Sequence, residues 1–394
     1  MFLYYSCRDI KLPEYGMKTT VLVICMHFIT ATALLKNYRK FEETSNELKK
    51  LSNLYSDISH LYSIGNSVEG GRELYVIALG KYAKKHQYLI PDVKYIGNIH
   101  GNEIVSKEIL LELANFLLSS YSTNTTIGLL LNKTRIHIMP TMNPDGMEKS
   151  ISNMELHSCT GVGGRYNSNK EDLNRNFPDK IVPKSQSNLQ PETRNVILSI
   201  MKWLETEKFV LSANFHGGAL VVSYPYDSYP NAIDNGPSKE YLTPDNDIFT
   251  HLSRVYANSL PVSKADFKCN SFENFDEGIT NGAAWYPIVG GMQDYNYIVH
   301  KTFELTIEMS CCKFPNASDL PSLWQRHKNS LIIFLQKSHI GIKGTVFEEN
   351  TKLPIDGAKI FVNYRSTYVE TSKLGEYWRL LLPGTYIIKV CIKD

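Results

Sequence analysis

Residues 93–103 read Val-Lys-Tyr-Ile-Gly-Asn-Ile-His-Gly-Asn-Glu, and the fold prediction starts from this stretch. Val93–Ile99 is a short apolar run typical of a buried strand, and Ile109–Leu118 carries Leu, Ile and Phe at helical spacing. His100 and Glu103 are three positions apart, so in a helical turn both side chains can reach one point. Imidazole and carboxylate are usual zinc ligands, and two His with one Glu leave a fourth position open for water. Alone, such a pair is more often a solvated helix start than a metal site.

Length and charge restrict the class of protein. The 394 residues are enough for two or three domains with a large core. With 42 basic and 40 acidic residues, the net charge of +2 gives no indication of binding to nucleic acid or to an acidic membrane. We expect a globular monomer.

The amino end has the pattern of a signal peptide. After Met17, a basic start is followed by the apolar run Val21–Ile29 and by Ala31-Thr32-Ala33, an A-x-A cleavage sequence. Because the run is short for a membrane span, we expect residues 1–33 to be removed, with a membrane anchor as the alternative. Whether Met1 or Met17 is the start is left open.

Five cysteines remain after that removal, and in a secreted chain most of them should form disulfides. Adjacent Cys311 and Cys312 cannot easily bridge each other, so each is expected to bond a distant partner. Cys159 and Cys269 are the candidates, and Cys391 is left over. The candidate pairs are Cys269–Cys311 and Cys159–Cys312.

Three glycosylation sequences, at Asn124, Asn132 and Asn316, also fit the secretory route. We therefore expect an extracellular or cell-surface protein. No lipid-anchor tail is visible at this carboxyl end, so membrane attachment is not evident and a soluble product is the default expectation; whether the native carboxyl end is longer and carries an anchor is left open.

Strands and helices alternate through the middle of the chain, which favours an α/β sheet. Phe209–Phe215 is a strand that ends at His216, and Thr302–Met309 alternates strictly between apolar and polar residues. Arg135–Pro140 alternates as well, which predicts a half-buried strand with His137 on its polar face and outside any site.

The pattern changes at Gly341, where short strands separated by turns predict a small all-β sandwich over 341–394. Its predicted strands are Ile342–Phe347, Ala358–Tyr364, Tyr377–Leu382 and Tyr386–Cys391. So short a sandwich leaves an edge unpaired, and we expect it to be incomplete.

Four further motifs follow the opening stretch, each rich in polar or glycine residues. They are Gly164–Asn167 with Asp172–Asp179, Asn214–Gly218 with Ser223–Asp227, Gly278–Tyr286 with Gly291–Asp294, and Phe303–Cys312. In this order the chain resembles the zinc metallocarboxypeptidases, and more narrowly the regulatory subfamily of carboxypeptidases N, E, M and D. The resemblance runs from about Leu51 to Asp394. It implies a mixed-sheet catalytic domain over 37–339, followed by a truncated transthyretin-like β-sandwich over 341–394.

The resemblance also implies a metal site and a base. His100, Glu103 and His216 would hold one zinc ion per chain, and Asp172 would fix the tautomer of the first His ligand. Glu308 matches the general base that takes a proton from metal-activated water.

Spacing alone does not separate Glu308 from Glu304, which shares its face of the strand. The resemblance decides for Glu308 and leaves Glu304 as a structural or solvated residue. It assigns to Arg165 the stabilisation of the oxyanion. Arg175 would bind the free carboxylate of the substrate, with Asn174 and Tyr286 beside it.

The substrate side chain would be read by Asp227 and Gln293, which match the subfamily's pocket for Lys and Arg. The predicted function is a zinc exopeptidase that removes single Lys or Arg residues from the carboxyl ends of peptides or proteins. A non-catalytic extracellular peptide-binding protein on the same scaffold is the alternative, and zinc hydrolysis of another amide is a third interpretation. The first alternative would require loss of a ligand or of Glu308, and both are present.

Overall fold

The computed structural model describes residues 5–11, 37–69, 71–153, 157–183, 191–270, 273, 275, 277–363 and 365–393. The apolar run and the A-x-A sequence of the predicted signal peptide lie outside these residues, so that interpretation stays a prediction.

The described chain alternates strands with helices. The strands are β1 (Tyr5–Lys11), β2 (Ser59–Asn66), β3 (Glu73–Leu79), β4 (Asp92–Gly97), β5 (Arg135–Met139), β6 (Phe209–His216), β7 (Ala219–Tyr224), β8 (Ile279–Asn281), β9 (Phe303–Ser310), β10 (Ile342–Thr345), β11 (Lys359–Val362), β12 (Tyr368–Glu370), β13 (Glu376–Arg379) and β14 (Ile387–Lys393). The helices are α1 (Phe41–Leu54), α2 (Val105–Ser119), α3 (Thr125–Lys133), α4 (Pro144–Ser152), α5 (Pro191–Thr206), α6 (Asn246–Ala257), α7 (Gly282–Trp285), α8 (Met292–His300) and α9 (Leu320–Gln336).

One mixed sheet organises most of the molecule, with strand order β2-β3-β5-β4-β6-β9-β7-β8. Its centre, β5-β4-β6-β9, is parallel. Alternate residues of the strands enter two separate cores: Val93 and Tyr95 pack into one and Ile96 into the other. Since both faces are buried against other elements, the sheet carries near-continuous apolar strands, as parallel sheets do. The predicted mixed α/β fold is confirmed.

Parallel strands bring their carboxyl ends to one edge, where α/β proteins place their sites. His100 lies three residues beyond the end of β4, and His216 is the last residue of β6. Glu308 stands opposite His216 in the pairing of β6 with β9. The register of three strands therefore brings these three residues to one edge.

Strand β5 does not fit its prediction. All five of its residues are buried, and His137 is 0% exposed, so the strand is not half-buried. The Nε2 atom of His137 lies 3.2 Å from Asp92 Oδ1, and its Nδ1 atom lies 2.6 Å from the hydroxyl of Tyr62. The polar residues of the alternating pattern, Arg135 and His137, are therefore buried, and both contact Asp92 inside the protein.

Strands β10–β14 form two small antiparallel sheets, β10-β13 and β1-β14-β11-β12. We call residues 341–393 the C-terminal β-region. The last strand, β14, has a neighbour on each side, β11 and the amino-terminal strand β1. The expectation that Cys391 is left over is wrong, because Cys391 is disulfide-bonded. In the strand pairing its Cα lies opposite that of Cys7.

Candidate active site

Three buried side chains converge at the carboxyl edge of the sheet. The Nδ1 atoms of His100 and His216 are 3.1 Å apart, and they lie 3.0 and 2.8 Å from Glu103 Oε2. Each of the three residues is 3% exposed. The sequence separates His216 from the other two by more than a hundred positions, and the parallel register of β4 and β6 brings them together.

The side chain of Asn98 holds the turn that carries His100. Asn98 has a left-handed backbone (φ 54°), and its Nδ2 atom donates to the carbonyl oxygens of His100, Gly101 and Glu103. Asn tolerates this conformation better than most residues because its short polar side chain bonds locally. The Asn98 amide thus fixes the backbone path between His100 and Glu103.

Asp172 orients the first histidine. Its Oδ1 atom lies 3.1 Å from His100 Nε2, and its Oδ2 atom accepts from Arg165 Nε and Nη2 at 3.1 and 2.9 Å. Burial opposes the charge of Asp172, but His100 and Arg165 outweigh it and hold the pKa of this carboxyl well below its usual range. The ionised carboxylate fixes the N–H of His100 at Nε2 and turns Nδ1 toward Glu103.

The three donors fit a zinc ion. Ligand atoms of a tetrahedral zinc site with bonds of about 2.0–2.1 Å lie roughly 3.3 Å apart, close to the distances between these Nδ1 and Oε2 atoms. Burial raises the pKa of Glu103, but the neighbouring His100 and His216 lower it well below its usual range overall, so the group presents an anionic oxygen. Two imidazoles and one carboxylate are the donor set of a catalytic site with an open position.

A second group of possible ligands lies at the opposite end of the strands. Within the described residues, Asp92, His137 and Glu207 also converge. Arg135 already lies among them, with Nη1 at 3.3 Å from Asp92 and 2.7 Å from Glu207. A guanidinium therefore neutralises this group, and we assign no metal to it.

A cavity of about 180 Å³ opens beside the zinc-type triad. Most of the residues predicted for the site line it, namely His100, Glu103, Arg165, Asn174, Arg175, His216, Asp227, Tyr286 and Glu308. Burial and the nearby charge of Glu103 raise the pKa of Glu308. Its Oε2 atom is buried and has no hydrogen-bond partner among the described residues.

The short 3-10 helix Leu173–Arg175 places two polar side chains on the cavity wall. Asp172 caps it by accepting from Asn174 N at 2.9 Å. Asn174 Oδ1 accepts from the first residue of α8, Met292, at 2.9 Å. Arg175 lies beside it, with Nη1 donating to Asn174 O at 3.0 Å.

Asp227 forms another part of the cavity wall. It is 3% exposed, and its Oδ1 atom accepts from Gln293 Nε2 at 2.8 Å. Burial raises the pKa of Asp227 to about 7. A Cβ atom on Gly282 would lie 1.9 Å from Oδ1, so a glycine at 282 is required for this carboxylate to occupy its position.

Comparisons with known proteins decide the family. The sequence profile of the zinc carboxypeptidases matches residues 44–330. The chain is 46% identical over 362 residues to carboxypeptidase M of Mus musculus, covering 91% of this chain and 79% of that protein. It is 39% identical over 398 residues to the carboxypeptidase N catalytic chain of the same species, covering 96% and 85%. The chain belongs to the zinc carboxypeptidase family. It is a metallocarboxypeptidase whose cofactor is zinc.

The fold of this carboxypeptidase agrees with that of a solved relative. The crystal structure of thrombin activatable fibrinolysis inhibitor matches with a TM-score of 0.60 and 17% identity, covering 78% of this chain and 75% of that one. At that identity the likeness concerns the fold alone.

Two residues of the carboxypeptidase site escaped the sequence prediction. Lys313 lines the cavity, with Nζ 3.7 Å from Glu103 Oε1. Asp294 accepts the backbone N–H groups of Asp227 and Ser228 at 2.9–3.2 Å and so shapes the loop at Asp227. In the sequence, Asp294 directly follows Gln293, a predicted site residue, and Lys313 directly follows Cys312, a predicted disulfide cysteine. Lys and Asp are common on protein surfaces, so the residue type alone did not indicate a role in the site.

Two disulfides lie at the end of β9. Cys159 is bonded to Cys312 and Cys269 to Cys311, with Cα atoms 4.0 and 5.2 Å apart. These bonds join distant loops to the end of β9 and hold the segment that carries Lys313.

The three glycosylation sequences have different surroundings. Asn316 is exposed, whereas Asn124 caps α3 and Asn132 accepts a hydrogen bond from Tyr121. Their modification stays a prediction. Within the described ranges, no helix combines the length and the apolar character that crossing a bilayer requires.

Proposed function

We propose that this zinc carboxypeptidase removes single Lys or Arg residues from the carboxyl ends of peptides and proteins. One observation carries the proposal. The cavity beside the zinc-type triad holds a guanidinium, Arg175, and a buried carboxylate, Asp227. A carboxyl-terminal Lys or Arg carries the opposite charges on its α-carboxylate and its side chain.

Arg175 is proposed to bind the α-carboxylate, with Asn174 and Tyr286 donating hydrogen bonds beside it. A guanidinium pairs with a carboxylate through two parallel hydrogen bonds, which gives both energy and orientation. An internal peptide segment brings no carboxylate to this cation. Arg175 Nε also lies 3.3 Å from Asp234 Oδ1, so a chain end adds a second carboxylate to this guanidinium, and its charge-assisted hydrogen bonds favour chain ends over internal segments.

Asp227 is proposed to bind the basic side chain, with Gln293 holding its Oδ1 atom. Because the carboxylate is buried, an apolar or acidic side chain would leave it desolvated without a cation to balance its charge. This penalty selects against the wrong residue as much as the ion pair favours the right one.

A zinc ion held by His100, Glu103 and His216 would supply a Lewis acid for the scissile carbonyl and would acidify a water molecule. Glu308 is proposed to accept the proton of that water and to donate it to the departing amine. Arg165, whose Nη1 atom lies 3.3 Å from Glu103, is proposed to donate to the developing oxyanion.

The proposal is tested with the purified enzyme and four peptides that differ only in the last residue, Arg, Lys, Phe or Glu. We expect release of Arg and Lys, loss of release after chelation, and recovery on addition of zinc. Equal release of Phe would remove the assigned specificity. Zinc-dependent binding of the peptides without release would instead indicate the non-catalytic peptide-binding protein.

We further propose the secretory pathway as its location, with an extracellular or cell-surface monomer as the product. The two disulfides beside the site support an oxidising compartment, and the exposed Asn316 supports glycosylation. We assign residues 37–339 to the catalytic domain and 341–394 to the β-domain. Electrophoretic mobility before and after enzymatic deglycosylation of the secreted protein tests the route.

A further inference from the structure

The C-terminal β-region meets the rest of the molecule through a buried carboxylate, Asp245. Arg379 donates to both of its oxygens, with Nη1 at 2.9 Å from Oδ2. Arg365 donates from Nη1 to Oδ1 at 2.7 Å and also binds Asp247 through both terminal nitrogens. Asp245 is 0% exposed and Arg379 is 1% exposed, so this contact is shielded from water and from salt.

Asp245 is the last residue of the long connection that begins with Asp227 and leads to α6. It directly precedes α6, whose Ile248 and Phe249 N–H groups donate to its carbonyl oxygen. The two ends of the connection are also tied together, since Tyr226 N donates to Tyr241 O at 3.1 Å. This bond connects the part of the connection before Asp245 to the residue before Asp227.

A third donor links Asp245 to helix α8. The hydroxyl of Tyr297 donates to Asp245 Oδ2 at 2.9 Å. Tyr297 lies one helical turn after Gln293, on the same face of the helix. Its ring also packs against that of Tyr226, the residue before Asp227, with centroids 5.9 Å apart.

The first turn of α8 holds the Asp227 carboxylate and its loop. Gln293 donates to Asp227 Oδ1, and Asp294 accepts from the N–H of Asp227. A continuous series of contacts, buried except at the half-buried Arg365, thus runs from the two arginines of the β-region, through Asp245 and Tyr297, to Asp227.

We propose that Arg365 and Arg379 of the C-terminal β-region are positioning residues for the Asp227 pocket, and that they tune the preference for basic carboxyl-terminal residues. This inference rests on the proposed function and assigns a role in specificity to the β-region. Neither arginine touches the cavity. They fix Asp245, Asp245 fixes Tyr297 and the end of the connection, and these two in turn fix the depth and direction of the Asp227 carboxylate.

The β-region offers a matched control on one strand. Glu376 and Arg379 are the ends of β13, and Glu376 makes its own ion pair with the other part of the molecule, at His86. His86 contacts Asp92 at the amino end of β4, whereas the cavity lies at the carboxyl edge of the sheet. Glu376→Gln therefore weakens the same interface without touching the Asp245 contacts.

The test compares Arg365→Gln, Tyr297→Phe and Glu376→Gln with the unmodified enzyme. The readout is the ratio of kcat/KM for a peptide ending in Arg to that for the same peptide ending in Leu. This ratio does not depend on the fraction of folded enzyme, so instability alone leaves it unchanged. We expect it to fall about three- to tenfold in the first two variants, mainly through KM of the Arg peptide, and to stay constant in Glu376→Gln.

One further variant, Arg365→Lys, completes the design. Arg365→Lys keeps one charge at Asp245 but loses the paired geometry at Asp247, and we expect an intermediate ratio. Tyr297→Phe keeps the ring packing against Phe249 (centroids 4.9 Å apart), so it remains informative if an arginine variant does not fold.

A constant ratio in Arg365→Gln and Tyr297→Phe would overturn the inference. An equal fall in Glu376→Gln would do the same, because general loosening of the interface would then explain the effect. If the unmodified enzyme does not favour Arg over Leu, the proposed specificity fails and the inference fails with it. That result is seen before any variant is made.

Discussion

Two glutamates on β9, Glu304 and Glu308, have different roles because their surroundings differ. Glu304 and Glu308 point the same way because residues of even separation share a face of a strand. Glu304 is 0% exposed and binds Lys94 Nζ at 2.6 Å, also fully buried, so it is a structural residue and not a solvated one. Glu308 instead lines the cavity. The sequence pattern could not separate them, since Lys94 lies 210 positions from Glu304.

For Glu308→Gln we expect turnover to fall by about 10²–10⁴-fold, because the amide cannot accept a proton. The thermal midpoint and the zinc content should stay unchanged, since the residue is neither a zinc-type ligand nor part of an ion pair with a described residue. Steady-state kinetics, calorimetry and metal analysis of the same preparation check this. Retained turnover would exclude Glu308 as the base.

The matched substitution, Glu304→Gln, should lower the stability of the protein and leave kcat nearly unchanged. It leaves the Lys94 ammonium buried without its anion, which destabilises the protein by about 3–5 kcal/mol. The folded fraction, counted by titration with a tight inhibitor, should retain near-normal kcat. A stable but inactive Glu304→Gln enzyme would mean that the two roles are exchanged.

Asp227 should give the specificity a pH dependence. Burial raises its pKa to about 7, so the carboxyl group is neutral below that pH and charged above it. The ratio of kcat/KM for Arg over Leu peptides should therefore rise as the pH increases through about 7 and level off near pH 8. The ratio cancels the titration of groups that act on both substrates. In Asp227→Asn it should be low and flat, and a rising ratio in that variant would assign the dependence to another group.

At the scale of elements, the sequence pattern predicted the strands that carry the site, β4, β6 and β9. It underestimated how deeply β5 is buried. The apolar runs around His100 and His216 and the alternation of β9 gave the correct strands. For β5 the alternation indicated exposure, but Arg135 and His137 are buried against Asp92. Polar residues inside a sheet are stable when paired across strands, and their partners are too distant in sequence to be recognised from one pattern.

Metal removal should act on the carboxyl edge of the sheet, where β4, β6 and the start of α2 meet. Without an ion, the nitrogen lone pairs of His100 and His216 face Glu103 with no cation between them. A ligand that binds only the folded state at 1,000 times its Kd adds about 4 kcal/mol, so chelation should lower the thermal midpoint measurably. Added zinc should restore it in the unmodified enzyme and not in His216→Ala. Equal midpoints with and without zinc would argue against this triad as the binding site.

At the scale of the whole molecule, the sequence predicted the β-region but not how it is attached. Contacts at Asp245 and at His86 join it to the rest of the molecule, and His86 lies between Asp92 (2.7 Å) and Glu376 (3.1 Å). The partners His86 and Glu376 are 290 positions apart, and nothing in either local pattern indicates the other. Local periodicity predicts elements, whereas the charges that join them are set by the assembled fold.

The His86 contact should make the stability of the molecule fall in alkali. Hydrogen bonds to Asp92 and then to Glu376 raise the pKa of His86 to about 10, above the ordinary 6.5. A raised pKa means that the imidazolium stabilises the folded state fully below about pH 6.5 and that this contribution is lost as the pH rises toward 10. Since the ring is 26% exposed, we expect only about 1–2 kcal/mol, a fall of roughly 2–4 °C in the thermal midpoint. Calorimetry of the unmodified protein and of His86→Gln across this range isolates the effect, because all other groups titrate in both. The two midpoints should converge as the pH approaches 10, and a constant difference between them would mean that His86 is not charged in the folded protein.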